Sequence, residues 1–255
     1  MSEISKSIIR SRQADEPVRL NKYLSDAGVC SRREADRLIE SGQVIVDGIA
    51  AIMGQKVSRH QHIVCRGQLV RGNDDLIILA FNKPAGIECT SDLSNPDNII
   101  SYINYPSRIY PVGRLDKNSS GLILLTNTGE ISDAVLRSSN FHEKEYDVKV
   151  NAPITSQFIS DMKNGVDIYP DDGARKVRTR RCQIIKTGND SFRIILTQGL
   201  NRQIRRMCNA LGYKVTALKR IRIMNVKLLD LPEGSFRELS ENEIIQLLER
   251  ADLKK

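Results

Sequence analysis

The chain has 255 residues, of which 40% are hydrophobic and 27% are charged, and its formal net charge is +8. This length accommodates a medium domain together with a smaller one. No apolar run approaches the roughly 20 residues that a membrane-spanning helix needs, so we expect no membrane span. The excess positive charge favours a polyanion as partner. Since no basic amphipathic helix with large apolar anchors is evident, nucleic acid is favoured over an anionic membrane surface.

The cysteines and histidines form neither a disulfide pattern nor a metal-ligand pattern. The cysteines are odd in number, widely spread and without a CxxC pair, at positions 30, 65, 89, 182 and 208. Free thiols in a reducing cytoplasm are therefore the simpler interpretation. The histidines at 60, 62 and 142 do not combine with them at zinc-site spacing. We expect a cytoplasmic protein without a bound metal, and no motif indicates another cofactor.

The N-terminal part of the chain is predicted to be a small domain over residues 18–74, preceded by a polar, disordered leader over residues 1–17. The leader lacks the apolar core of a signal peptide. The domain begins with a helix that buries Leu20 and Leu24 and ends before Gly28. Ser31 and Glu34 have the spacing of a capping box, which predicts the start of a second helix. Short strands are predicted at residues 44–46 and 63–65.

A polar break at residues 71–75 separates this domain from a larger one over residues 75–255. The larger domain has predicted strands at 76–81, 122–126, 146–150, 177–185 and 192–196. Its predicted helices lie at 154–164, 202–211 and 241–250. Because these strands and helices do not alternate regularly, the pattern indicates an α+β fold with a mixed, largely antiparallel sheet.

The small domain carries basic side chains on both predicted helices, namely Arg19, Lys22, Arg32, Arg33 and Arg37. Such a face suits contacts with phosphates, although a solvated basic surface is the plainer explanation of charge alone. The sequence VRLNKYLSDAGVCSRREADRLIESGQVIVDG resembles an S4 domain, an RNA-binding module, over nearly all of residues 18–48. That resemblance implies RNA binding and leaves the chemistry open.

The larger domain contains an aspartate, Asp116, between Arg114 and Lys117 in a loop rich in Gly and Ser. By itself such an Asp is more often a turn former whose carboxylate caps local amides. However, GRLDKNSSGLILLTNTG resembles the catalytic motif of the RsuA branch of pseudouridine synthases, in which an S4 domain usually precedes the catalytic domain. The similarity extends to NKPAGI, HEKEYDVKV, QGLNRQIRRMC and RIRIMNVKLLDLPEGSFRELSENE.

The resemblance implies that a uridine is flipped out of the RNA and isomerised to pseudouridine without a cofactor. It assigns the catalytic carboxylate to Asp116, base flipping to Arg114 and an active-site tyrosine to Tyr146. Arg205 matches the basic residue that pairs with the Asp, and Leu124 is expected in the apolar wall of the pocket. Within QGLNRQIRRMC, Arg202 and Arg206 are expected to contact RNA. Many members of the branch carry His where this chain has Arg202.

Each of these roles has an ordinary alternative from the residues alone. Tyr146 also fits a strand aromatic, and the arginines of residues 202–206 also fit a solvated helix face. The basic stretch at 174–181 suits either contacts with the RNA backbone or a charged edge strand.

The resemblance points to ribosomal RNA, closest to members that act on 23S RNA, with a transfer RNA stem-loop as an alternative second substrate. The sequence does not constrain the oligomeric state, and a monomer is the default expectation. The competing interpretations are a non-catalytic ribosome-assembly factor on the same fold and, more distantly, a DNA-binding regulator.

Overall fold

The computed structural model describes residues 16–58, 60–72, 76–136, 141–169 and 175–251. Most of the predicted leader and residues 73–75 of the predicted break lie outside the described residues. The chain divides into two compact units: the first comprises Met1–Ile77, Tyr105–Ile109 and Asn127–Gly129, and the second comprises Ile78–Asn104, Tyr110–Thr126 and Glu130–Lys255. In the described part of the chain, no helix is long and apolar enough to cross a membrane.

The first unit is a pair of helices on a small antiparallel sheet. Its elements are β1 (Val18–Arg19), α1 (Leu20–Asp26), α2 (Arg32–Glu40), β2 (Val44–Val46), β3 (Ile49–Ala50), β4 (Lys56–Val57), β5 (Ile63–Cys65) and β6 (Gln68–Leu69). Four strands pair in the order β3-β2-β5-β6, and β1 pairs with β4. The apolar residues of the two helices and of β2 form the core of this unit, in which Leu20, Leu24, Leu38 and Val44 are buried.

The turn between the two helices follows the prediction only in part. Ser31 caps α2, since its hydroxyl accepts a hydrogen bond from the Glu34 amide at 3.2 Å. The other hydrogen bond of the predicted capping box, from the Ser31 amide to the Glu34 side chain, is not formed. The Glu34 carboxylate instead accepts from Arg37 at 3.0 Å and from Arg66 at 3.2 Å. Two nearby cations thus compete successfully with the backbone amide for this carboxylate.

The second unit is built on a nine-stranded sheet. Its helices are α3 (Ile99–Ile103), α4 (Gly129–Leu136), α5 (Ser156–Asn164), α6 (Gln203–Ala210) and α7 (Glu241–Arg250). Its strands are β7 (Ile78–Lys83), β8 (Tyr110–Val112), β9 (Ser120–Thr126), β10 (Lys144–Val150), β11 (Asp167–Ile168), β12 (Val177–Arg178), β13 (Gln183–Lys186), β14 (Ser191–Leu196), β15 (Val215–Ile223), β16 (Val226–Lys227) and β17 (Phe236–Glu238).

The strands of this sheet follow the order β13-β14-β10-β15-β9-β7-β17, with β8 beside β9 and β16 beside β15. The predicted α+β class with a largely antiparallel sheet is confirmed, because among the described strands only β9 and β15 pair in parallel. That parallel pair lies near the middle of the sheet and joins Ser120 to Lys219 and Gly121 to Arg220.

The prediction of one strand over residues 177–185 is wrong. The chain forms the two-residue strand β12, then leaves the extended path at Thr179 and resumes as β13. Thr179 is buried, its amide donates to the Val166 carbonyl at 3.0 Å, and its hydroxyl accepts from the Val166 amide at 2.9 Å. These bonds, and that from Cys182 to the Lys163 carbonyl at 3.1 Å, bend the segment around the end of α5.

Candidate active site

A cavity of about 590 Å³ opens in the second unit, at the end of the sheet where β9 begins. Its size falls within the range of small-molecule sites. The walls come from the loop after β8, the start of β10, the segment before α6, and β15. Five of the residues singled out in the sequence line it, namely Arg114, Asp116, Tyr146, Arg202 and Arg205.

The Asp116 carboxylate faces two arginines inside this cavity. Its Oδ2 lies 3.6 Å from Arg205 Nε and 3.5 Å from Arg202 Nη1, and about a third of its side chain is exposed. Both separations are those of ion pairs rather than of short hydrogen bonds. The carboxylate is therefore held next to positive charge while its oxygens remain accessible to a ligand.

Arg205 is fixed by the same loop that carries the aspartate. Its Nη2 donates to the Asn118 carbonyl at 2.9 Å and to the Ser119 hydroxyl at 3.0 Å. Its Nε is buried, has no hydrogen-bond partner among the described residues and points to Asp116. Burial and the nearby charge of Arg202 lower the pKa of Arg205, but a guanidinium remains protonated in proteins. A rigid cation thus orients the carboxylate.

Lys83, in NKPAGI, stabilises the loop that carries Asp116. This residue was not identified from the sequence. It is fully buried, and its Nζ donates to the carbonyls of Pro84 at 2.7 Å, Ile87 at 2.8 Å and Lys117 at 3.4 Å. Burial lowers the pKa of Lys83. A buried ammonium that ties three carbonyls together stiffens the turn on which Asp116 stands.

Arg202 was expected to contact RNA, yet the structure brings it to the carboxylate. It precedes α6 in the left-handed backbone conformation, with φ of +48°, which a non-glycine residue rarely adopts. Arg206 points elsewhere: it donates to the carbonyl of Tyr169 and to the side chain of Asn201. It lines an adjoining groove that shares Arg202 and Arg205 with the cavity.

The wall opposite the loop is formed by Lys144 and Tyr146 of β10 and by Arg220 of β15. Tyr146 pairs in register with Arg220, whose guanidinium carbon lies 6.0 Å from the centre of the tyrosine ring. Arg220 is only 3% exposed, and its Nε donates to the Leu122 carbonyl at 2.7 Å. Neither Lys144 nor Arg220 was singled out in the sequence, because both stand in strands among other charged residues.

Leu124 does not line this cavity, which corrects the expectation that it forms the apolar wall. It lies four residues into β9, about 13 Å along the strand from Ser120, and is fully buried between β7 and β8. The apolar part of the wall comes instead from Leu115, Leu196, Leu218 and Ile223.

The basic residues predicted in the S4-like part lie in the first unit. Arg19, Arg32, Arg33 and Arg37 are exposed, and Lys22 is half-buried. Lys22 pairs with Asp26 at 3.1 Å and Arg37 pairs with Glu34 at 3.0 Å. Arg32 and Arg33 occupy the first turn of α2.

Lys144 gives a prediction about pH and stability. Burial, and then the charge of Arg220, lower the pKa of Lys144 to about 8 from 10.5. The unfolded chain therefore binds more protons between about pH 8 and 10.5, so wild-type stability rises across this window and loses this contribution below it. The Lys144→Met variant lacks the effect. The stability of this variant relative to wild type, measured as the free energy of unfolding, is expected to be about 2 kcal/mol higher at pH 7 than at pH 9.5.

Urea unfolding at the two pH values measures this difference. Lys149→Met is the matched control, since Lys149 is an exposed residue of the same strand that pairs with Asp190 at 3.4 Å. A difference between Lys144→Met and wild type that does not change with pH would show that Lys144 is not buried as described.

Comparison with known proteins agrees with this geometry. The family model for RNA pseudouridylate synthase matches residues 77–210, and that for the S4 domain matches residues 18–70. The chain belongs to the RNA pseudouridylate synthase family and is an RNA pseudouridine synthase with an S4 domain.

Its relatives include the dual-specificity RNA pseudouridine synthase RluF of Escherichia coli (strain K12), 48% identical over 91% of this chain and 79% of that protein. Ribosomal large subunit pseudouridine synthase B of Bacillus subtilis (strain 168) is 32% identical over 92% of this chain and 97% of its own length. A solved pseudouridylate synthase structure matches with a TM-score of 0.66 and 26% identity, covering 90% of this chain and 99% of that one.

Proposed function

We propose that this enzyme isomerises one uridine of ribosomal RNA, in the 23S molecule, to pseudouridine, with Asp116 as the catalytic carboxylate. The observation that carries the proposal is the placement of Asp116, which lies in a nucleotide-sized cavity within 3.6 Å of two arginines. The names of the relatives support the substrate, since one acts on the large ribosomal subunit and another has two specificities. A transfer RNA stem-loop is therefore the second substrate to test.

We assign roles to these residues, and the positions of their side chains support the assignment. The uridine enters the cavity after it leaves its stack in the RNA, and exposed Arg114 at the rim takes part in flipping it out. Asp116 attacks C1′ of the ribose as the bond to N1 breaks, and the buried cation of Arg205 orients the carboxylate for this attack. Tyr146 stacks on the uracil and takes part in proton transfer.

Arg202 and Arg206 bind the RNA backbone next to the target. Arg202 reaches both the carboxylate and the adjoining groove, which Arg206 also lines. A strand of RNA that leaves the cavity through this groove meets both cations. Arg202 thus lies between the reacting nucleotide and its neighbour.

The domain boundaries and cellular context belong to the same proposal. Residues 1–17 form a leader, residues 18–74 an S4-like domain that binds RNA, and residues 75–255 the catalytic domain. The enzyme acts as a monomer in the cytoplasm, an environment that suits its five free thiols.

Pseudouridine mapping tests the proposed function. Ribosomal and transfer RNA from cells lacking this protein, and from the same cells with it restored, are treated with a carbodiimide that marks pseudouridine and then read by primer extension. We expect one 23S stop that is absent without the protein and returns with it. Identical maps in both strains would favour a non-catalytic RNA-binding factor.

The S4-like domain gives a separate prediction about RNA affinity. Replacing both Arg32 and Arg33 with Ala removes two exposed cations from the first turn of α2. Affinity for the substrate RNA is expected to fall about tenfold at moderate salt, and the salt dependence of binding to weaken by about one for each lost phosphate contact. Filter binding across a salt series measures both, while the catalytic rate at saturating RNA stays unchanged.

Arg37→Ala is the comparison, because Arg37 is already paired with Glu34 and its loss should cost less affinity. If the double variant binds RNA as tightly as wild type, with the same salt dependence, this helix face is a solvated surface and not an RNA contact.

A further inference from the structure

Arg220 lines the cavity and has a buried hydrogen-bond donor that is unused. Its side chain is almost wholly buried and lines the site, while its Nε is occupied by the Leu122 carbonyl at 2.7 Å. Its Nη2 is buried and has no hydrogen-bond partner among the described residues. Leaving a buried donor of a cation unpaired is costly. The side chain is thus prepared for an acceptor that arrives with a ligand.

The charges around Arg220 show what kind of acceptor fits. Lys144 lines the same wall, and the positive charge of Arg220 contributes to lowering its pKa. Of the two carboxylates that line the cavity, Asp116 faces Arg202 and Arg205, and Glu88 accepts from Asn95 at 2.8 Å. Tyr146 adds an aromatic face beside the guanidinium. This wall therefore suits a flat ring that bears oxygen atoms and negative charge.

We propose that Arg220, with Lys144 beside it, holds the detached uracil ring as an anion by donating hydrogen bonds to its oxygen atoms. This inference rests on the proposed function. When the N1–C1′ bond breaks, its electron pair stays on N1 and spreads onto O2 and O4 of the ring. C1′ meanwhile bonds to an oxygen of Asp116.

The remaining steps return the enzyme to its starting state. The ring turns within the cavity, and C5 attacks C1′ as the bond to Asp116 breaks and its electron pair returns to the carboxylate. One proton leaves C5 and one joins N1, so uridine and pseudouridine have the same atoms. The wall accounts for two requirements at once, since it lowers the barrier to cleavage and keeps the ring from diffusing away.

Arg220 is distinguished from the other arginines of the site by what its donors already bind. The unpaired Nε of Arg205 already faces Asp116 at 3.6 Å, and its Nη atoms donate to Val215, Asn118 and Ser119. Arg202 is exposed. The charge on the ring develops only as the bond breaks. A donor aimed at that charge therefore stabilises the transition state more than the bound uridine, and its loss lowers kcat rather than raising KM.

Single-turnover assays of Arg220→Met and Arg220→Lys test the proposal. For Arg220→Met we expect kcat to fall about 100- to 1000-fold, as when one oxyanion donor is removed, with RNA affinity within about threefold of wild type. Arg220→Lys keeps a cation and should recover at least about tenfold of the lost rate. The control is Arg222→Met in the same strand, which breaks ion pairs with Glu143 and Glu145 outside the cavity.

The possible results distinguish a failure of the role proposed for Arg220 from a failure of the proposed function. If wild type forms no pseudouridine, the proposed function fails. If wild type is active and Arg220→Met loses no more rate than Arg222→Met, only the role of Arg220 is overturned.

A second measurement uses the wild-type enzyme alone and does not depend on the variants folding. Barbiturate, a pyrimidine that is an anion at neutral pH, should inhibit at a concentration at least about tenfold lower than neutral uracil. Equal inhibition by the two rings would overturn the proposal.

Discussion

Replacing Asp116 with Asn is expected to abolish pseudouridine formation while RNA binding persists. The change keeps the shape of the side chain and removes its charge, so the proposed nucleophile is lost. We expect the rate to fall at least about 10⁴-fold, the scale seen when a catalytic nucleophile is removed. The measurement is single-turnover conversion of the proposed 23S substrate at saturating enzyme, read by primer extension.

RNA affinity and stability should respond quite differently from the rate. Removing a negative charge beside Arg202 and Arg205 also removes repulsion of phosphate, so the dissociation constant should stay within about threefold or become tighter. The ion pairs are partly exposed, and pairs of this kind contribute about 1 kcal/mol or less. Tm should therefore move by only a few degrees.

Asp97→Asn is the matched control for this variant. Asp97 pairs with Lys117 at 2.7 Å, next in sequence to Asp116, but both partners are about half exposed and Asp97 does not line the cavity. Its loss should leave the rate within about threefold. An active Asp116→Asn enzyme would contradict the proposed chemistry. A variant that no longer binds RNA or folds would identify Asp116 as a structural turn residue.

Local patterns in the sequence predicted most of the described helices and six inner strands, namely β2, β5, β7, β9, β10 and β14. Helix α7 was predicted with its observed limits, 241–250, since its apolar residues recur at helical spacing after Ser240. Two strands of the first unit, β2 and β5, were predicted from short apolar runs. In these elements the residues that form the structure are neighbours in sequence, so a short window contains the whole signal.

The long strand β15, between β10 and β9 in the sheet, was missed for the opposite reason. Its sequence VTALKRIRI places Lys219, Arg220 and Arg222 among the apolar residues, which obscures the alternation by which strands are predicted. Two of these cations have partners distant in sequence, since Arg220 binds the Leu122 carbonyl and Arg222 binds Glu143 and Glu145. A pattern in one segment cannot show that its charges will be satisfied by others.

The candidate site was also predicted only in part. The motif around Asp116 was evident in the sequence, and its cavity does bring Arg114, Tyr146 and Arg205 together with it. The position of Arg202 was not evident, because its left-handed backbone turns it toward the carboxylate. In a regular helix the positions 202, 205 and 206 form one face. Leu124 was misplaced because an apolar residue in a strand gives no information about its distance from the strand end.

The other large effect is expected at Gly121, the second residue of β9, just after the loop that carries Asp116. Here β9 and β15 run in parallel, and a Cβ built on Gly121 would lie 2.2 Å from the Arg220 carbonyl oxygen and 2.7 Å from its amide nitrogen. Both are backbone atoms of a neighbouring strand, so relief requires the sheet to separate. Gly121 also has φ of +102°, and such a backbone strains any other residue by about 1–3 kcal/mol.

Gly121→Ala is therefore expected to lose several kcal/mol, a large part of the typical 5–15 kcal/mol of stability. Tm should fall by about 10 °C or more, or the variant should be insoluble.

Gly86→Ala is the control that distinguishes backbone strain from the steric clash, because Gly86 has a similar φ of +95° but nothing within 4 Å of an added Cβ. Its Tm should fall by only about 2–4 °C for each kcal/mol of strain. If thermal unfolding finds the two variants equally stable, the close approach of β15 to Gly121 is not rigid. Gly121 would then be required only for its positive φ. If Gly121→Ala is the less stable variant, the close contact with β15 fixes the loop that carries Asp116 to the strand that carries Arg220.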